Sequence, residues 1–218
     1  MRLHQVRIVA HRGNSAVLPE NSMAAFRSAA MLGAHMLELD VWLSREGVPV
    51  VIHDETLDRT TTASGPVAAM HVWDLHKLGI PQLEDVLRMP IPVNVEVKTP
   101  AAIQPVVDLA FGRPDVLISS FDLDALEFLH RLSPELSLGY LASQDGASLA
   151  LERAIAAEAY SLHLPAPAVT PPLLEAAHAA GLRVMAFTVD DPALGRELFG
   201  LGVDAIFTND PARMLAIL

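Results

Sequence analysis

The sequence predicts a single (β/α)8, or TIM, barrel with a β-hairpin extension after the second strand. Three observations carry this. Apolar strand-like runs begin near Val6, Met36, Val93, Val116, Ser137, Tyr160, Arg183 and Ala205, and nearly all are followed by a helical pattern. Strand-helix alternation implies a parallel sheet, and eight units imply closure. Ionisable residues gather where those strands end, the rim on which barrels build their sites. An open doubly wound sheet is the competitor, but no GxGxxG follows the first strand and no GxxxxGK[ST] occurs. No linker or composition break divides residues 1–218, so one domain is expected.

In chain order, Val6 to Ala10 is an apolar run ended by His11-Arg12-Gly13. Met23 to Leu32 has helical spacing, with Asn21 or Ser22 able to cap it. Met36 to Leu43 is apolar except for Glu38 and Asp40, which share one face because residues two apart on a strand point the same way. Arg45-Glu46-Gly47 signals a turn, and Val48 to Ile52 returns. A two-residue loop at Glu46-Gly47 would set His53 opposite Asp40. Glu55 to Gly79 reads as loop with about one helical turn, and Gln82 to Arg88 as a short helix.

Val93 to Val97 is the third strand and carries Glu96, with Lys98 two residues on. Helices are then expected at Ile103 to Ala110, Leu123 to Leu132 with Asp122 as cap, and Ser148 to Ala159. Three more are expected at Pro171 to Ala180, Pro192 to Phe199 and Pro211 to Leu218. The strands between them are Val116 to Ser119, Ser137 to Leu141, Tyr160 to Leu164, Arg183 to Thr188 and Ala205 to Thr208.

Composition removes several function classes. The 218 residues contain no cysteine, which excludes disulfides, zinc-thiolate sites and thiol nucleophiles. A net charge of −11, from 15 basic and 26 acidic residues, argues against wrapping nucleic acid. It still permits an anionic substrate in a local positive pocket. The N-terminal stretch does not read as a signal peptide, and no uncharged apolar run is long enough to span a bilayer. No stable membrane insertion and a soluble, cytoplasmic protein are the expectations.

The rim residues point to one chemistry. Glu38, Asp40 and Glu96 are three hard oxygen ligands on neighbouring strands, suited to one magnesium or calcium ion. The alternative pairs them with Arg12 and Lys98 as structural salt bridges, but three acids outnumber two bases. His11 and His53 each follow an apolar strand and form a candidate acid-base pair. Arg12 offers a planar fork for an oxyanion and Lys98 a point charge. Together these suit hydrolysis or intramolecular transfer at a phosphate ester. His163 can reach the rim from the sixth strand, though packing is favoured there.

Several motifs carry a family resemblance. His11-Arg12-Gly13, Pro19-Glu20-Asn21 with Ala25-Phe26, Glu38-Leu39-Asp40-Val41, His53-Asp54 and Arg59-Thr60-Thr61 resemble the glycerophosphodiester phosphodiesterase family. Ile80-Pro81-Gln82-Leu83-Glu84, Glu96-Val97-Lys98, Ser119-Ser120-Phe121, Phe187-Thr188-Val189 and Phe207-Thr208-Asn209-Asp210-Pro211 extend it over essentially the whole chain. The resemblance implies hydrolysis of glycerophosphodiesters to sn-glycerol 3-phosphate and an alcohol, through a cyclic phosphate. It implies His11 and His53 as general acid and base, and Glu38, Asp40 and Glu96 as ligands of a divalent cation. It implies Arg12 and Lys98 as phosphate-binding residues. Phe187 stands where many members have tryptophan, so an aromatic substrate wall is expected without an indole donor. The segment between His53 and Glu96 is shorter than in many members, which implies a more open mouth.

Three rival functions remain at this stage. One is a lysophospholipase D activity of the same superfamily. Another is a non-catalytic barrel that binds a phosphate ligand. The third is a magnesium-dependent lyase or aldolase barrel that uses Lys98 as a Schiff base, which requires a neutral lysine.

Overall fold

The computed structural model describes residues 3–144 and 146–218. Met1 and Arg2, which open the stretch read as no signal peptide, lie outside the described residues. The strands are β1 (Ile8–His11), β2 (Met36–Leu43), β3 (Pro49–Val51), β4 (Val93–Val97) and β5 (Val116–Ser120). They continue with β6 (Ser137–Leu141), β7 (Ser161–Pro165), β8 (Arg183–Phe187) and β9 (Ala205–Thr208). All but β3 are parallel, and β1 pairs with both β2 and β9, which closes the barrel. The eight expected strands all form, and β3 is the hairpin extension, antiparallel to β2 and outside the ring.

The helices are α1 (Met23–Leu32), α2 (Val72–Lys77), α3 (Leu83–Leu87), α4 (Ile103–Ala110) and α5 (Leu123–Leu132). They continue with α6 (Ala150–Ala156), α7 (Pro171–Ala179), α8 (Pro192–Leu201) and α9 (Pro211–Leu215). Local chemistry explains the ends. Ser22 Oγ accepts the N–H of Ala25 to start α1, and Gly33 closes it in the left-handed region. Asp122 caps α5 as expected, accepting from the N–H groups of Asp124 and Ala125. The helix expected from Ser148 begins instead as a 3-10 turn over Ala147–Leu149, and α6 ends at Ala156. In the segment read mainly as loop, a 3-10 turn at Val67–Ala69 precedes α2. Their buried Val67 and Leu75 pack under the hairpin with Val50, Ile52, Leu57 and Ile80. That tertiary cluster supplies what local pattern did not show.

Side chains two apart on each barrel strand point inward, and they change character along the barrel axis. At the lower end Val9, Met36, Leu117, Met185 and Ala205 form an apolar plug. Above it on β2 and β4 come Glu38, Asp40, Asn94 and Glu96, all buried. The larger core lies between the outer faces of the strands and the helices, with Phe26, Leu39, Val95, Ile118 and Leu162 among its members. The barrel therefore raises carboxylates on a rigid apolar base, at the C-terminal rim.

The hairpin register differs from expectation by one residue. Trp42 faces Val50 and Val41 faces Val51, and the N–H of Ile52 donates to the Asp40 carbonyl at 3.0 Å. Ile52, not His53, therefore stands opposite Asp40. The loop holds three residues, Arg45 to Gly47, closed by Ser44 N–H to the Val48 carbonyl at 2.9 Å. Gly47 takes φ +78°, the left-handed position that a three-residue hairpin loop requires. A one-residue slip swaps sheet faces. His53 escapes that consequence because the ladder has ended before it. Among the described residues no helix is long and apolar enough to cross a membrane.

Candidate active site

The site starts at a strained turn after β1. Arg12 is a non-glycine residue at φ +56°, and Gly13 follows at φ +84°. A Cβ on Gly13 would lie 2.7 Å from the carbonyl carbon of Ala25, so only glycine lets the turn settle against α1. The reward is orientation. The Arg12 N–H donates to Glu38 Oε2 at 2.9 Å, while its guanidinium Nε sits 3.1 Å from Asp40 Oδ2.

Glu38, Asp40 and Glu96 each place one oxygen within 4.8 Å of the others. Register explains it: Glu38 lies beside Asn94 and Asp40 beside Glu96 on paired strands. The bases are unevenly shared. Lys98 Nζ is 2.9 Å from Asp40 Oδ1 and contacts Glu96 Oε1 more closely still. Burial opposes ionisation of Asp40, but Lys98 and then Arg12 outweigh it and hold its pKa below the usual value. Glu38 has no such partner. Burial first, then the charges of Asp40 and Glu96, push its pKa well above the ordinary carboxylate range. Burial and Asp40 also raise Glu96, against the pull of Lys98.

Salt bridges thus serve Asp40 and Glu96, while Glu38 has only the Arg12 N–H and more distant charges and is left under-compensated. The all-oxygen, converging, under-neutralised set fits a magnesium- or calcium-like ion. Burial lowers the Lys98 pKa less than Asp40 and Glu96 raise it, so the ammonium stays charged. A Schiff base needs the neutral amine, so this environment removes the lyase reading.

The two imidazoles reach the same cavity by different routes. A pocket of about 240 Å³ is lined by His11, Arg12, Glu38, His53, Glu96, Lys98 and Phe187, together with Asn94, Phe121 and Phe207. His11 ends β1, with Nδ1 2.8 Å from Asn209 Oδ1 and Nε2 4.0 Å from Glu38 Oε2. Burial, then the charge of Arg12, lowers its pKa from 6.5. His53 follows the hairpin, with its carbonyl accepting from Trp42 Nε1 at 3.0 Å and its Nδ1 2.6 Å from Asp54 Oδ1.

Seven of the eight expected site residues therefore share this one pocket, and the eighth, Asp40, lies beneath it, ion-paired with Arg12 and Lys98. A model of the glycerophosphoryl diester phosphodiesterase family matches residues 11–213.

The chain belongs to the glycerophosphoryl diester phosphodiesterase family.

Members of this family are hydrolases. A glycerophosphodiester phosphodiesterase from Caldanaerobacter subterraneus is 34% identical over 95% of this chain and 96% of its own. Among solved structures, a phosphodiesterase from Oleispira antarctica, determined in complex with the product sn-glycerol-3-phosphate, superposes with a TM-score of 0.88. It is 28% identical and covers 97% of this chain and 96% of its own. The glycerophosphodiester phosphodiesterase of Thermotoga maritima superposes with a TM-score of 0.89 at 28% identity, over 98% of each chain.

The parts played by six further residues, Asn21, Asn94, Phe121, Asp190, Phe207 and Asn209, emerge only in three dimensions. Of the two cap candidates, Ser22 takes the task, and Asn21 instead donates from Nδ2 to Asp40 Oδ2 at 2.8 Å. Its φ of +56° is one asparagine tolerates better than most residues. Asn209 is held by Asp190, which accepts its backbone N–H and its Nδ2, each at 2.7 Å. That fixes the amide with Oδ1 toward His11, so the ring carries its proton on Nδ1 and leaves Nε2 proton-free on the Glu38 side. Asn94, wholly buried, donates to Ser119 Oγ at 3.0 Å beneath the carboxylates. Phe121 and Phe207 each meet Phe187 edge-on, at centroid distances of 6.3 and 6.4 Å, so the aromatic wall holds three rings. His163 packs 5.0 Å from Phe207, and burial lowers its pKa to about 3. That is the packing role expected for it.

Proposed function

We propose that this protein is a divalent-metal-dependent glycerophosphodiester phosphodiesterase that releases an alcohol and sn-glycerol 3-phosphate. The observation that carries this reading is a pair of imidazoles and a cationic pair around an under-neutralised carboxylate trio, two of its members lining one pocket and Asp40 directly beneath it. Glu38, Asp40 and Glu96 would hold one magnesium or calcium ion. That ion supplies Lewis acidity at the phosphate and lowers the pKa of a nearby hydroxyl.

The chain's own groups do the rest. Arg12 and Lys98 bind the phosphate oxygens and neutralise their charge. His11, kept neutral by burial and proton-free at Nε2, takes the proton of the glycerol hydroxyl next to the phosphate. That oxygen bonds to phosphorus as the bond to the alcohol breaks, and His53 delivers a proton to the leaving oxygen. A cyclic phosphate results. His53, now neutral, then deprotonates a water whose oxygen bonds to phosphorus, and His11 returns its proton to the glycerol oxygen as its bond to phosphorus breaks and the ring opens. Phe187, with Phe121 and Phe207, shields the reacting atoms from bulk water. The sn-glycerol-3-phosphate named with the Oleispira antarctica structure supports the product class.

The test is a panel of glycerophosphodiesters assayed for sn-glycerol 3-phosphate, before and after chelation. Activity lost on chelation and restored by magnesium or calcium is expected. Full turnover by verified metal-free protein would count against the carboxylate site.

A second reading, hydrolysis of lysophospholipids, draws on one observation. Beside His53 lies a larger cleft of about 570 Å³, bordered by Leu18, Val51, Ile52, Leu78 and Ile80. Choline release from lysophosphatidylcholine exceeding that from glycerophosphocholine would favour it.

A further inference from the structure

His11 is fixed by a barrel strand, whereas His53 lies beyond the hairpin in irregular chain. Something else must hold its ring, because a displacement on the order of 1 Å at a reacting group can cost about 100-fold in rate. We propose that Arg59 is a positioning residue, a clamp across the mouth that holds Asp54 and Glu20 together and thereby sets the catalytic geometry of His53. The inference rests on the phosphodiesterase reading above and extends it to residues outside the catalytic pocket.

The geometry is a fork used in full. Arg59 Nε donates to Asp54 Oδ2 at 2.6 Å, and Nη2 to Asp54 Oδ1 at 3.1 Å. On its other side Nη1 donates to Glu20 Oε2 at 2.9 Å and Nη2 to Glu20 Oε1 at 2.8 Å. Both carboxylates are thus bound two-point, a pattern only a guanidinium can make. Asp54 in turn binds His53 Nδ1 at 2.6 Å, which leaves Nε2 for substrate. Glu20 accepts from Arg12 Nη1 at 3.1 Å, and Arg12 sits on Asp40. An unbroken alternation of charge therefore runs from Lys98 through Asp40, Arg12, Glu20, Arg59 and Asp54 to His53.

Arg59 itself is presented on a short turn. Thr61 N–H and Oγ1 both donate to the Leu57 carbonyl, at 3.1 and 2.8 Å, and Leu57 is wholly buried. The Arg59 side chain is 48% exposed and does not line the catalytic pocket. Half-exposed ion pairs add little stability. Four directed bonds from one such arginine make sense as alignment: they join the loop after β1, which carries the phosphate arginine, to the loop that carries the second imidazole.

The experiment compares wild type, Arg59→Ala, Arg59→Lys, Asp54→Ala, Asp54→Ala/Arg59→Ala and His53→Ala on glycerophosphocholine with saturating metal. In Arg59→Ala, kcat should fall about 10- to 100-fold with KM changed less than about threefold, because the residue aligns and does not bind substrate. Arg59→Lys should recover part of the loss. Low-millimolar guanidinium should restore Arg59→Ala and leave His53→Ala unchanged, which a simple loss of fold would not do. The double variant should be no slower than Asp54→Ala alone, as expected of groups acting as a unit. Wild-type kcat in Arg59→Ala, or losses that multiply in the double variant, would overturn the clamp. Wild-type protein inert on every diester would instead refute the phosphodiesterase reading itself.

Discussion

Replacing Glu38 by glutamine should stabilise the metal-free protein and remove its response to metal. Glu38 is buried and shares a site with two other carboxylates whose nearest oxygens all lie within 4.8 Å. At that separation and an effective dielectric near 20, each like-charge pair costs about 3.5 kcal/mol. The charge of Arg12 offsets part of this, and protonation caps it, so a net penalty of about 2 kcal/mol is expected at alkaline pH. Glutamine keeps the shape and the acceptor for the Arg12 N–H without the charge.

The pH dependence follows from the direction of the shift. Glu38 has a folded-state pKa raised above its ordinary 4.5, first by burial and then by Asp40 and Glu96. Its contribution to stability is therefore full below the unfolded pKa and lost as pH rises through the folded one. At pH 5 the two proteins should nearly match, and at pH 8 metal-free Glu38→Gln should melt about 4–8 °C higher. Added magnesium or calcium reverses the order, since a ligand at 100 times its Kd stabilises wild type by about 2.7 kcal/mol. Thermal unfolding with chelator and with metal, at both pH values, reads all of this. A metal-free variant less stable than wild type at pH 8, or equal metal responses, would refute the reasoning.

Three further outcomes are expected. The acid limb of kcat/KM should have its midpoint below 6.5, because burial and Arg12 depress His11, and a midpoint above that value would contradict its role as base. Asp190→Ala should lower kcat about 10- to 100-fold by freeing the Asn209 amide that sets the His11 tautomer, with calorimetry showing metal affinity unchanged. Gly13→Ala should destabilise the fold by roughly 2–4 kcal/mol in denaturant titration, since φ +84° and a 2.7 Å backbone approach both exclude a Cβ.

What could be read from the chain divides along physical lines. Periodicity within a strand is local, so the barrel strands and the facing pairs Glu38 with Asp40 and Glu96 with Lys98 were legible. The hairpin turn was legible but its length was not, because Gly47 suits a left-handed position in a two- or a three-residue loop. Asn21 resembles a cap because its neighbour is one; only β2 packed beside it reveals Asp40 as its partner. Asn209 and His11 are separated by 198 residues and meet only because β9 closes on β1. The Arg59 bonds to Glu20, 39 residues away, depend on two irregular loops and leave no periodic trace. The helical turn at Val67–Ala69 and α2 likewise owe their form to Val67 and Leu75 burying under the hairpin.

The central claim is that His11 and His53 together break a glycerol-linked phosphate ester at one mouth. Phosphorus NMR of glycerophosphocholine turnover by metal-loaded wild type, His11→Ala and His53→Ala tests it directly. Conversion to sn-glycerol 3-phosphate by wild type, with each variant slowed by about 1,000-fold or more, is the predicted result. Turnover near the wild-type rate in either variant, or a phosphorus product other than glycerol phosphate, would contradict it.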